Sequence, residues 1–255
     1  MTNTVFIPEL IAAGVQAKLG NAIKLYPLSY TQDLQNEKGG DVITVPKTQY
    51  VGDATVVAAG QLIPVSDFTQ STDQVTVKKY AKAVSFNEEE VNSAYSDVQV
   101  DAEEQLTKSI ANGIEKDMYA SLNAITGAML HTEVGADVSL TGKVVANALA
   151  KFGEDLEEEI FLLVNATDYA SLRQDEAFDK QTKEIYGATV MPSNRVAAKT
   201  AFLVKAGAVG AYIKKDVLVE TEEDISNQTH LVVGTELAAV HLRDESKAVK
   251  IVFGA

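Results

Sequence analysis

Residues Gly40–Phe86 read GDVITVPKTQYVGDATVVAAGQLIPVSDFTQSTDQVTVKKYAKAVSF, and their patterning decides the fold. Strand-forming runs stand at the two ends, Asp41–Val45 and Gln74–Phe86. Between them lie Pro46, Gly52, Gly60 and Pro64 among small and polar residues. A lone two-stranded hairpin is marginal in water. A connection this long without a core of its own is either functional or disordered. Valine and isoleucine recur through it, against the low hydrophobicity that marks disorder. The excursion is therefore expected to complete its packing against another molecule, which points to an assembly subunit rather than an enzyme.

Downstream, Asn87 and Glu90 have the spacing of a capping box for a short helix to about Tyr95. Ser96-Asp97 offers a second cap, and a long helix is expected over Val98–Ile125, with no proline and only Gly113 as an interior glycine. Its apolar residues fall at Val98, Ala102, Leu106, Ile110, Ile114, Met118 and Leu122. Each step of four overshoots a full turn by about 40°, so six steps carry the stripe roughly 240° around the helix. A coiled-coil seam would hold a period near 3.5. The helix is expected to meet different neighbours along its length, as a spine of roughly 42 Å.

Upstream, residues 1–38 read as an arm. Pro8 and Glu9 suit a first helical turn, and Leu10, Ile11, Val15 and Leu19 recur near helical spacing. Lys38-Gly39-Gly40-Asp41 is a turn signal. Residues 141–230 read as an α/β region. A helix is expected over Thr141–Phe152, stopped by Gly153. The apolar run Ile160–Val164 reads as a strand buried on both faces. Thr167 is expected to cap a short helix through Leu172, and residues 174–187 to form a polar loop. Short strands are expected at Ala188–Met191, Ala201–Val204 and Val217–Glu220, with close packing at Ala206–Ala211. Thr229–Leu242 and Lys247–Phe253 read as a hairpin turning at Arg243–Ser246.

With 255 residues and 46% hydrophobic content, the chain can bury a substantial core. It has no cysteine, which removes disulfides and thiolate chemistry. The formal net charge is −14 and the pI about 4.6, without the basic excess that a protein gripping nucleic acid needs. No apolar run is long enough for a membrane span, and MTNTVFIPEL has no secretory pattern. The three histidines, His131, His230 and His241, lie outside any metal-binding or Gly-x-Ser-x-Gly spacing. The acidic runs Glu88–Glu90, Glu157–Glu159 and Glu222–Asp224 lack the alternating ligands of a cation loop. Gly207 and Gly210 match neither phosphate-loop pattern. Lys78-Lys79-Tyr80-Ala81-Lys82 is the one basic–aromatic cluster, and its lysines are expected to meet acidic residues of a neighbouring subunit.

These segments, in this order, resemble the tailed-bacteriophage major capsid proteins of the Hong Kong 97-type fold. The resemblance is strongest in Gly40-Asp-Val-Ile-Thr-Val-Pro46, Gly52-Asp-Ala54, Gly60-Gln-Leu-Ile-Pro64 and Val75-Thr-Val-Lys-Lys-Tyr-Ala-Lys-Ala-Val84. It continues into Glu88-Glu-Glu90 and Gln105-Leu-Thr-Lys-Ser-Ile-Ala111, and Asn165-Ala-Thr-Asp-Tyr169 resembles the segment after an axial-domain strand. It implies an α+β fold with an N-terminal arm (1–40), an extended β-hairpin loop (41–86), a peripheral domain with the spine helix (87–140 and 229–255) and an axial domain (141–228). The function it implies is a structural subunit, not an enzyme, that self-assembles as hexamers and pentamers into an icosahedral head shell enclosing the phage genome. Expected partners are other copies, a separate scaffolding protein, a portal protein and, weakly and without sequence preference, packaged DNA; no membrane is involved. Its place would be the virion, after assembly in the host cytoplasm. The resemblance implies no catalytic, cofactor-binding or metal-binding residue and no cofactor, and no Lys–Asn pair is singled out for a cross-link. Two other readings stand beside it: an encapsulin-type nanocompartment shell around a cargo protein, and a small α/β hydrolase using His230, His241 and nearby acids.

Overall fold

The computed structural model of the chain describes residues 8–34, 42–48, 54–57, 60–63, 65, 70–87, 89, 98–135, 139–154 and 156–254. Helix α1 (Pro8–Ala22) opens with Pro8 and Glu9 in its first turn and buries Ile11, Val15 and Leu19. These three lie four residues apart, so Leu10 falls off the stripe and is exposed, against expectation. A 3-10 turn at Tyr26–Leu28 leads to β1 (Tyr30–Asp33), a strand with no alternation to announce it. Residues expected as an outreaching arm thus bury Ile23, Leu25 and Leu28 in the chain's own core.

Strands β2 (Val42–Thr48) and β3 (Gln70–Thr76) form an antiparallel pair. The strand expected across Gln74–Phe86 is two strands. It divides at Val77, and β4 (Lys78–Asn87) pairs with β12 (Thr229–Leu242) instead. Asn87, expected as a helix cap, is the last residue of β4. The helix expected from there to about Tyr95, its Ser96-Asp97 successor cap and the turn at 38–41 lie outside the described residues, Glu89 excepted. Helix α2 (Val98–Asn123) follows, roughly 39 Å long at about 1.5 Å per residue. All seven residues of its drifting stripe are buried. The drift gives it several neighbours: α1, β4, β12, β11 (Val209–Asp224) and β13 (Ala248–Phe253) all pack on it.

After α2 come β5 (Leu130–Glu133), α3 (Gly142–Leu149, extended by a 3-10 turn and stopped at Gly153, φ 64°), β6 (Ile160–Val164) and α4 (Ala166–Leu172). The cap of α4 is Asn165, whose side chain accepts the Thr167 N–H at 3.0 Å, and not Thr167 itself. The expected polar loop at 174–187 contains the two-residue strands β7 (Phe178–Asp179) and β8 (Glu184–Ile185), pinned by buried Phe178 and Ile185. Two apolar anchors among many charges show no strand period, which is why the sequence hides them. Strands β9 (Ala188–Pro192) and β10 (Thr200–Lys205) sit where the apolar runs place them.

The strands form two larger sheets, β1-β11-β12-β4 and β5-β13-β10-β6-β9-β8-β7, besides the β2-β3 pair. The expected C-terminal hairpin is absent. Its two strands exist but belong to different sheets, because the Arg243 and Asp244 N–H groups donate to the Ala208 carbonyl (2.8 and 3.1 Å) and turn the chain away. The partner of β12 is β11, from Val209↔Leu242 to Asp224↔Thr229. Thus β11 leaves the 141–228 region for the four-stranded sheet, while β13 lies within the seven-stranded one. A register shift in β11 before Leu218 is clasped by Gln16 of α1. Its Oε1 accepts the Val217 N–H and its Nε2 donates to Asp216, both at 3.2 Å. One core fills the space between α1, α2 and the four-stranded sheet, and a second lies between α3 and the seven-stranded sheet.

Candidate functional site

The β2–β3 hairpin has a dry root and a wet far end. Its ladder runs from Val42↔Thr76 to Thr48↔Gln70. At the root, Val45 and Val75 pack with Leu34, Tyr212 and Ala239. The His241 Nε2 lies 3.0 Å from Asp73 Oδ2 and ties β3 to β12. Beyond the ladder, Val56, Leu62, Ile63 and Val65 are 102%, 95%, 76% and 93% exposed. Four bare aliphatic side chains within ten residues gain nothing from water. Fully burying each one contributes about 1.5–3 kcal/mol.

The basic–aromatic cluster on β4 behaves differently from expectation at one position. Lys78 is satisfied within the chain: its Nζ and the Tyr80 hydroxyl donate to Asp117 Oδ2 of α2 at 2.8 and 2.6 Å. Burial opposes the Asp117 charge, but these two hydrogen bonds outweigh it and hold the carboxyl below its usual range. Tyr80 is pushed upward by burial and then by its bond to Asp117. Gly113 makes the approach possible, since a Cβ there would come within 3.0 Å of the Tyr80 ring.

The groups considered for catalysis do not converge. His230 and His241 stand eleven residues apart on β12, roughly 36 Å along a strand. His131 lies on β5 in the other sheet, 3.4 Å from Glu133. Among the described residues no three histidines or carboxylates gather as a metal site, and no helix is long and apolar enough to cross a membrane.

Two buried carboxylates escaped the sequence reading. Glu115 of α2 is 6% exposed and accepts from Arg195 Nε at 2.8 Å, while Arg195 also donates to Asn112. Glu236 is 2% exposed at an inward position of β12, opposite the β11 register shift. Burial, and then the charge of Asp216, push its carboxyl up to about 7. The only signal for Glu236 was its parity with Val232, Gly234 and Ala238 along the strand.

Comparison with known proteins places this architecture. A family model described as phage capsid protein matches residues 70–251. The major capsid protein of Staphylococcus phage phiMR11 is 32% identical over 269 residues, covering 100% of this chain and 96% of that protein. The capsid of Ralstonia phage GP4 superposes with a TM-score of 0.73 at 10% identity, covering 88% and 86% of the two chains. The capsid of cyanophage P-SCSP1u gives 0.70 at 14% identity, with 91% and 88% covered. A virus-like particle from Pyrococcus furiosus gives 0.69 at 11% identity, with 97% and 100% covered. At such identities the structural likenesses establish the fold alone.

Proposed function

The chain belongs to the phage capsid protein family, and we propose that the four bare aliphatic side chains beyond its β2–β3 ladder are what a neighbouring copy covers in the shell. It is a major capsid protein with the Hong Kong 97-type α+β fold, a structural component of the virion and not an enzyme. Its copies assemble into the head shell that encloses the phage genome.

The finer picture is our reading of how such a shell is built. The root of the hairpin is anchored by Val45, Val75 and the His241–Asp73 contact, so the far end is carried on a fixed base. The four-stranded sheet with α1 and α2 serves as the peripheral domain, and the seven-stranded sheet with α3 and α4 as the axial domain. Copies group as hexamers and pentamers of an icosahedral shell, with a separate scaffolding protein and a portal protein as further partners. The net charge of −14 disfavours tight gripping of DNA and supports weak contacts to the genome. The likeness to the Pyrococcus particle carries shape only, whereas the sequence relationship is to phage proteins.

The observation that carries this reading is the exposure of Val56, Leu62, Ile63 and Val65. Replacing all four by serine removes nothing from the interior of the lone subunit. Thermal unfolding of unassembled protein should therefore shift little. Electron microscopy and light scattering should show that the variant no longer forms shells. Shells formed as readily as by the parent would overturn the proposal.

A further inference from the structure

Four cations converge on one recess of about 610 Å³: Lys24 just beyond α1, Arg173 after α4, and Lys180 and Lys183 on the β7–β8 turn. None pairs with a carboxylate among the described residues, in a chain whose acids outnumber its bases 36 to 22. Two nearby aspartates are engaged elsewhere. Asp175 accepts the Gly142 and Ala177 N–H groups at 2.7 and 2.9 Å. Asp179 accepts those of Gln181 and Thr182, which shapes the turn that presents the two lysines. Lys183 holds φ at 59°, a left-handed conformation uncommon for lysine, and its carbonyl accepts the Val190 N–H at 2.9 Å. The recess is also lined by Phe178, Val190 and Met191. Its rim is cationic and its floor apolar, and it takes an occupant with the opposite rim and an apolar tooth.

The chain carries such an element. Between Gly153 and β6, Glu154, Glu157, Glu158 and Glu159 are exposed around Leu156, itself 50% exposed. This loop cannot serve its own recess. It enters β6 at Ile160, whereas α4 and Arg173 follow the other end of that strand, at Val164. Lys247 Nζ holds Glu158 at 3.0 Å beside β13, on the side of β6 away from β9 and β8. We propose that the recess receives the Glu154–Glu159 loop of a second copy, with Leu156 against Phe178 and Val190 and the flanking glutamates meeting Lys24, Arg173, Lys180 and Lys183. Recess and loop are different patches, so the contact is head-to-tail. Repeated between copies, it closes a ring wherever the rotation allows. A volume of this size suits one side chain and its neighbours. A duplex, with a charge every ~1.7 Å, favours an extended basic track instead. The inference rests on the chain being a shell subunit and specifies one contact within the ring.

Charge reversal tests it on the full chain. Lys180→Glu/Lys183→Glu and, separately, Glu157→Lys/Glu159→Lys alter exposed residues, and circular dichroism and thermal unfolding verify that each variant is folded. Light scattering should show each assembling roughly tenfold or more slowly than the parent, because like charges then meet. Combining the two pairs should restore assembly. Because the chain has no cysteine, Leu156→Cys/Met191→Cys in oxidised particles should run as covalent multimers. Recess variants that assemble at the parental rate, a combined variant that stays slow, or cysteine particles that yield only monomers would overturn the proposal. Normal shells that retain less nucleic acid would also overturn it, in favour of a nucleic-acid contact. Failure of the parent to form shells even when co-expressed with its scaffolding protein is a separate result, which counts against self-assembly and not against this contact in particular.

Discussion

Glu236 should make the folded subunit lose stability as the pH rises. Its carboxyl is 2% exposed, and its Oε2 has no hydrogen-bond partner among the described residues. Burial and then Asp216 raise it from 4.5 to about 7. The unfolded chain releases this proton near 4.5, while the folded chain keeps it until about 7. The contribution is thus fully present below 4.5, declines through the window between the two values, and is gone above about 7. At about 1.36 kcal/mol per pH unit, the window amounts to about 3 kcal/mol. For a chain of this size that corresponds to roughly 6–12 °C in melting temperature. Glu236→Gln keeps the size and stays neutral in both states, so it should lose this pH dependence. The assay is urea unfolding of unassembled subunit near pH 5 and near pH 8, followed by far-ultraviolet circular dichroism, since the chain has no tryptophan. Other titrating groups are common to parent and variant, so the difference between them isolates Glu236. The variant's stability relative to the parent should rise by about 2.5 kcal/mol from the lower to the higher pH, since part of the window lies below pH 5. A difference that stays constant across the two conditions would refute the reasoning.

Arg195→Ala should destabilise the unassembled subunit by about 3 kcal/mol, because it leaves the buried Glu115 carboxylate without its charged partner. Thermal unfolding reads this, and Arg195→Lys should recover part of the loss. Leu106→Ala removes a side chain that is 0% exposed, where α2 meets β12 at Gly234. It should cost about 3 kcal/mol in the urea transition of the same species, with the slope unchanged.

The spine helix was legible because its evidence is local. A step of four held over seven residues specifies both the helix and the dry stripe, and every residue of that stripe is buried. The same holds for the apolar run of β6, for the glycine that stops the segment after α3, and for the aliphatic residues left bare beyond the β2–β3 ladder. Pairing was a different matter. The sequence showed β12 and β13 as strands but suggested that they pair with each other, and it ran β3 and β4 together. It could not show that residues 8–34 fold back to lay α1 on α2 and β1 beside β11. Periodicity reports which side of an element avoids water, but not which distant element covers that side. Partners such as Tyr30 and Gly210 lie far apart in the chain, and only three-dimensional packing brings them together. Burial of Glu236 and gathering of the four cations were decided at that level too. A charged residue has the same letter in solvent as beneath a helix, and only the tertiary structure sets what surrounds it.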